Sequence, residues 1–308
     1  MSAGFIIDIH AHISRPDQSG REALDAFDQA PQWGGTPDEL RAVMEASGIS
    51  RTVISGVIPT QAIRQKVLAQ LPADASRQTR EAAEREIREE VLQRMDQQNS
   101  WGCEIGRRSP ELLPFITLDP TVMDAITIRR KVRESVTQGA RGIALLPSLH
   151  GFYGNDRHVW PIYEMAQSFG LPILAQTGDA GSAPPSGRGH WGRPRYFADV
   201  AGAFPKLILI LAHLGQGYES EIAVLARRHP NVYTDTSMRL GRLGDPGKWT
   251  PAEAVTWLRL IGVDRILFGT KWPLFDPRQE IATIRDLPLT EEEQRKILGE
   301  NARRALRL

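Results

Sequence analysis

Eight apolar runs of strand length punctuate the chain, and this recurrence limits the fold more than any other feature. They fall at residues 5–9, 52–57, 113–118, 142–146, 172–175, 207–212, 232–234 and 265–268. Stretches with helical apolar spacing lie between them, at 37–47, 124–138, 159–169, 196–204, 219–228 and 251–261. The runs are continuous and not alternating, as for parallel strands covered on both faces. Strand–helix alternation repeated eight times in 308 residues predicts an α/β fold, one (β/α)8 TIM barrel spanning 1–308.

One segment stands outside the alternation. Residues 75–99 ("ASRQTREAAEREIREEVLQRMDQQN") carry Arg and Glu at helical spacings, with Ile87, Val91, Leu92 and Met95 along one side. They read as a charged amphipathic surface helix inserted after the second strand. The loop 178–195 is rich in Gly and Pro and follows the fifth strand, where a barrel places active-site lids. Lys plus Arg number 38 against 37 for Asp plus Glu, a net charge of +1. That balance argues against a general nucleic-acid or polybasic membrane binder. No apolar run approaches the roughly 20 residues of a membrane span. The N-terminus lacks a basic leader, and the lone Cys103 excludes an intramolecular disulfide, so a cytoplasmic location is expected.

Ionisable residues mark several strand ends. In "IIDIHAHI", His10 and His12 are two apart on a strand, so both rings point to one side. Two imidazoles at a barrel rim can share one metal or one substrate. In "LILILAHLGQG" an apolar run delivers His213, and in "DRILFGTKWPLF" another delivers Lys271 beside Trp272. "LPILAQTGDAG" ends in Gln176, Thr177 and Asp179. Asp119, Asp235 and His150 also lie near rim positions, where a capping or turn role is the commoner reading. There is no nucleophile elbow, Walker loop or dinucleotide fingerprint.

Together these phrases resemble the amidohydrolase-related family, in the branch of the aminocarboxymuconate-semialdehyde-type decarboxylases and several lactonases. "ELLPFITLDP", "VWPIYEMAQSFGLPIL", "FPKLILILAHLG" and "NVYTDTS" extend the likeness over nearly the whole chain. The resemblance implies a TIM barrel with its site at the C-terminal rim. It also implies a metal, typically zinc, held by the two first-strand histidines, a strand-five histidine and a strand-eight aspartate. His10, His12 and His213 match that pattern. Gln176 stands where the family has the strand-five histidine of "IHTG", and Lys271 where it has the aspartate of "GSDWP".

The lysine is the severe departure. At about 4 Å and an effective dielectric of ~20, an ammonium and a divalent ion repel by about 8 kcal/mol. Removing the lysine's proton instead costs roughly 4 to 5 kcal/mol at neutral pH. A glutamine carbonyl is a poor substitute for imidazole on zinc. The expectation is therefore no metal, or one divalent ion held weakly by His10 and His12. His10, His12, His213 and Lys271 are the expected catalytic residues, with Gln176, Asp179, His150 and Trp272 around a small carboxylate-bearing substrate. Hydrolysis, including lactone opening, is the first expectation. A catalytically degenerate subunit paired with an active homologue, and a metal-dependent decarboxylase, are the alternatives. A homodimer or a heteromer with a homologous subunit is expected as the assembly.

Overall fold

The computed structural model describes residues 5–17, 30–178 and 189–308. Eight parallel strands follow one another around the sheet in sequence order: β1 (Ile6–His12), β2 (Ile49–Ser55), β3 (Leu112–Thr117), β4 (Gly142–Leu145), β5 (Ile173–Ala175), β6 (Leu209–Leu211), β7 (Val232–Asp235) and β8 (Ile266–Leu267). The segment beyond β8 closes the barrel onto β1. Ile9 N–H donates to the Phe268 carbonyl at 2.9 Å, Lys271 N–H to the His10 carbonyl at 2.7 Å, and His12 N–H to the Trp272 carbonyl at 2.7 Å. The expected TIM barrel is therefore the observed one.

Two apolar layers hold it. Inside the barrel, Ile7, Ile9, Val53, Phe115, Leu174, Ile210, Tyr233 and Leu267 pack together, and Ala302 and Ala305 of the C-terminal helix join them. A larger cluster fills the space between the strands and the outer helices. Buried on both faces, the strands need the unbroken apolar runs that the sequence shows.

The helices at Pro37–Ser47, Glu219–Arg228 and Pro251–Ile261 occupy the expected residues. Thr36 and Thr250 cap the first and last of these through capping boxes with Glu39 and Glu253. The charged helix differs from expectation. It runs over Arg77–Arg108, 32 residues, and buries Ala83, Ile87, Val91, Met95 and Cys103. It is the covering helix that leads into β3, packed along that strand, and not an ornament on the surface. Dense charge hides this because the buried residues are a narrow stripe on a long polar rod. Burial pushes the Cys103 thiol up to about 11, which leaves it inert at neutral pH. None of the described helices is long and apolar enough to cross a membrane.

Candidate active site

The β1 strand has to perform two tasks. Ile7 and Ile9 fill the barrel interior, yet His10 and His12 must face the mouth above it. Strict alternation cannot put both the odd and the even residues inside. The pairing with β2 shows the solution: Asp8 lies opposite Thr52 but Ala11 opposite Ile54, so β1 carries one extra residue between them. Such a bulge re-aims the side chains that follow it.

His10 and His12 then meet edge to face with ring centroids 5.0 Å apart. His213, just beyond β6, stacks on His10 at 4.9 Å. Each ring is held by its Nδ1. His10 Nδ1–H donates to Asp235 Oδ2 at 2.9 Å, His12 Nδ1 pairs with Ser55 Oγ at 3.1 Å, and His213 Nδ1 with Ser237 Oγ at 2.8 Å. With Nδ1 engaged in each case, Nε2 is the ring atom turned away from the anchoring bond. Gly269 lets the first of these bonds form, since a Cβ there would press on His10 at 3.0 Å and on Asp235 at 3.3 Å.

Lys271 completes the group. It is 5% exposed, and its Nζ lies 3.4 Å from His213 Nε2 and 3.1 Å from Met238 Sδ. The amine is thus turned toward the imidazoles and not into solvent. Its direction is set by the backbone, because Lys271 adopts φ 57°. His213 (φ 65°), Leu214 (φ 52°) and Met238 (φ 63°) share this left-handed region. Four non-glycine residues so placed around one site store backbone strain of order 1–3 kcal/mol each. Asp8 anchors the lysine's segment: its carboxylate accepts from Thr270 N at 3.1 Å, Thr270 Oγ1 at 2.6 Å and His10 N at 2.9 Å.

Electrostatics divide the site into neutral rings and fixed charges. Burial holds the His12 and His213 imidazoles well below their ordinary range, and the cationic neighbours, Lys271 among them, push the same way. Both are neutral bases at pH 7. Burial alone would raise the Asp235 carboxyl, but the attraction and hydrogen bond of His10, with the hydrogen bonds of Ser237 and the His213 N–H, outweigh it. Asp235 is therefore an anion. His10, His213 and Asp235 bring metal-ligating atoms within 4.8 Å of one another.

The remaining expected residues are placed as follows. Gln176, just past β5, is part-buried, and its Oε1 has no partner among the described residues. His150 is fully buried, with Nε2 at 3.0 Å from the Ile58 carbonyl and Nδ1 3.8 Å from Asp119 Oδ2. Trp272 is also fully buried. It belongs to the outer cluster and packs 6.3 Å from Trp33, which makes it a support for the Lys271 segment and not part of the mouth's lining. The sequence gives no hint of this, since a Trp beside a rim cation suggests contact with a ligand. Asp179 lies outside the described residues.

The sequence pattern marks Asp235 as a rim residue without bringing it into the site, and it does not single out Ser55, Ser237, Met238 or Asp8 at all. A usable signal is present in "NVYTDTS": Asp235 and Ser237 are two apart at a strand end, the spacing that singles out His10 and His12.

The family model for amidohydrolases (Amidohydro_2) matches residues 7–308, and the chain belongs to that family. Among solved structures, it is similar to an uncharacterised TIM-barrel protein from Bordetella bronchiseptica, at 20% identity over 98% of each chain with a TM-score of 0.69. A 2,6-dihydroxybenzoate decarboxylase from Rhizobium matches at 17% identity over 99% of each chain, TM-score 0.68. A 5-carboxyvanillate decarboxylase from Novosphingobium aromaticivorans, solved with manganese and a nitrobenzoic acid, matches at 13% identity over 99% of this chain and 97% of that one, TM-score 0.69. No curated protein matches the chain.

Proposed function

We propose that this chain is a decarboxylase-type lyase of the amidohydrolase superfamily, acting on a small hydroxylated aromatic carboxylate through a lysine ammonium and not through a tightly held ion. The observation that carries the reading is the buried Lys271 Nζ, 3.4 Å from the Nε2 of a neutral His213. Likeness to two aryl-carboxylate decarboxylases favours this over hydrolysis, the first expectation from sequence.

The residues present do not suit a resident divalent metal. The one carboxylate in the cluster, Asp235, already accepts from His10 Nδ1, the backbone N–H of His213 and Ser237, and the Ser237 hydroxyl. Oδ1 takes three of these donors and Oδ2 the fourth, so most of the carboxylate's accepting capacity is already used, and Lys271 adds a positive charge beside the imidazole nitrogens. No step is therefore assigned to an ion.

The chain's own groups supply a complete reaction. The substrate carboxylate pairs with the Lys271 ammonium, which is worth more in a buried site than in water. A substrate hydroxyl donates to His213 Nε2, and its proton moves there as charge flows into the ring. The ring carbon that bears the carboxylate takes a proton from Lys271. The bond to the carboxylate then breaks, its electron pair returns to the ring, and CO2 leaves. His213 gives its proton back to the oxygen, and solvent reprotonates Lys271, so one proton is consumed overall.

Hydrolysis is the second reading, favoured by one feature: His213 Nε2 is a neutral base placed to take a proton from water beside a cation. The third, a degenerate subunit serving an active homologue as a heteromer, has less support. A site decaying from disuse has no need to keep three imidazoles oriented, each through its own hydrogen bond.

Purified protein is to be incubated with 2,6-dihydroxybenzoate, 5-carboxyvanillate and an aryl lactone, with a chelator and with added manganese. CO2 release that survives the chelator supports the proposal. Lactone opening alone moves the assignment to hydrolysis, and turnover that requires manganese overturns the lysine's role.

A further inference from the structure

We infer that Ser237 is a positioning residue that selects which nitrogen of His213 is bare, and so aims the base at Lys271. The inference follows from counting hydrogens. Asp235 Oδ1 receives the backbone N–H of His213 at 3.1 Å and that of Ser237 at 2.9 Å, so it carries no proton of its own. The Ser237 hydroxyl also touches Oδ1, and it has to be the donor there. A serine has one hydrogen to give. Toward His213 Nδ1 at 2.8 Å, and toward His10 Nδ1 at 3.3 Å, its oxygen can then only accept, which requires the proton of His213 to sit on Nδ1. Nε2 is left with a lone pair, and that lone pair is what Lys271 Nζ–H meets at 3.4 Å.

The opposite tautomer would set an N–H against the ammonium and leave two lone pairs facing each other at the serine. One carboxylate thus fixes two rings: Oδ2 holds His10 directly, and Oδ1 holds His213 through Ser237. This deepens the lyase reading, which uses His213 as base and Lys271 as acid, but the test below reads a tautomer and not turnover. Its failure is therefore separate from the failure of that reading.

The test is side-chain 15N NMR of histidine-labelled protein, with His213 assigned by its loss in His213→Gln. The expected wild-type spectrum shows a protonated Nδ1 and a bare Nε2 at neutral pH. Ser237→Ala should release the ring, with appearance of the Nε2–H form, and Ser237→Thr, which keeps the hydroxyl, should restore the wild-type pattern. An Nε2–H form in the wild type overturns the inference even if the alanine variant does not fold. Unchanged shifts in a folded Ser237→Ala protein overturn it equally.

Discussion

Two arcs of the barrel mouth differ in how their polar atoms are used. On the arc formed by β1, β6, β7 and the segment after β8, the polar groups of His10, His213, Asp235 and Ser237 are tied into one network. On the arc after β3, β4 and β5, Asp119 Oδ2, His150 Nδ1 and Gln176 Oε1 have no hydrogen-bond partner among the described residues, whereas on the first arc the unpartnered atoms, Gln216 Oε1 and Trp272 Nε1, lie outside the network. A native protein rarely leaves buried polar atoms unpaired without a reason. The contrast separates an arc whose groups orient one another from an arc with hydrogen-bonding capacity left over, and on the proposed lyase reading Gln176 offers that capacity to a substrate.

The sharpest way to break this comparison is to remove the charge from the ordered arc. Lys271→Ala should lower kcat on any carboxylate that the protein turns over by about 10²–10³-fold or more, as for loss of one charge-stabilising donor. Stability should hold or rise, because a buried ammonium beside neutral imidazoles costs desolvation in the free protein. A fully active alanine variant would mean that the ordered arc is not where the reaction occurs.

A gain of function is the next largest effect. Gln176→His with Lys271→Asp replaces one residue on each arc and installs an imidazole and a carboxylate where the family places them. Zinc affinity, measured by titration calorimetry, should rise by orders of magnitude over the wild type, since repulsion of about 8 kcal/mol becomes attraction. No gain in the double variant would show that the two arcs do not face a common point.

Both departures from the family pattern, Gln176 and Lys271, are legible in the amino-acid sequence alone, as is the barrel. Continuous apolar runs report burial on two faces, and the spacing of His10 and His12 reports a shared side. The network behind them is not legible there. Asp235 and Ser237 act through atoms contributed by β1 and β6, and pairings across a barrel depend on register, which no local pattern encodes. The β1 bulge is hidden for the same reason: "IIDIHAHI" reads equally well without it. In the charged helix the stripe of Ile87, Val91 and Met95 is legible, but high polarity hides that Ala83 and Cys103 extend it and that it packs on β3. The lysine's orientation rests on a left-handed backbone at a non-glycine position, an exception that propensity argues against.

Glu280 tests the support behind the ordered arc. It is 1% exposed and takes a hydrogen bond from the backbone of Gly241, and its Oε2 has no partner among the described residues. Burial, with the nearby Asp8 carboxyl, raises its pKa to about 8. An acid raised on folding is protonated in the native state while the unfolded chain has already lost its proton. Stability from this group is thus full below about pH 4.5 and falls as pH rises to about 8. Glu280→Gln should therefore leave stability at pH 4 nearly unchanged and raise it at pH 8 by a few kcal/mol, read by urea unfolding at both. An equal effect at the two pH values would show that Glu280 stays ionised through folding.

The smallest effect belongs to the second arc, and it carries the comparison's other half. Gln176 Oε1 has no partner among the described residues, so removing it should not destabilise the protein. Replacing an unsatisfied amide by an apolar group of similar shape is neutral or stabilising. If the atom instead waits for a substrate donor, its loss appears in binding alone: one neutral hydrogen bond is worth about 1 kcal/mol, or roughly five- to tenfold. Gln176→Leu should then raise KM by that factor, with kcat and the urea midpoint held. A drop in kcat with unchanged KM would place Gln176 with the ordered arc, and a lower midpoint would mean that its carbonyl is already satisfied in the native state.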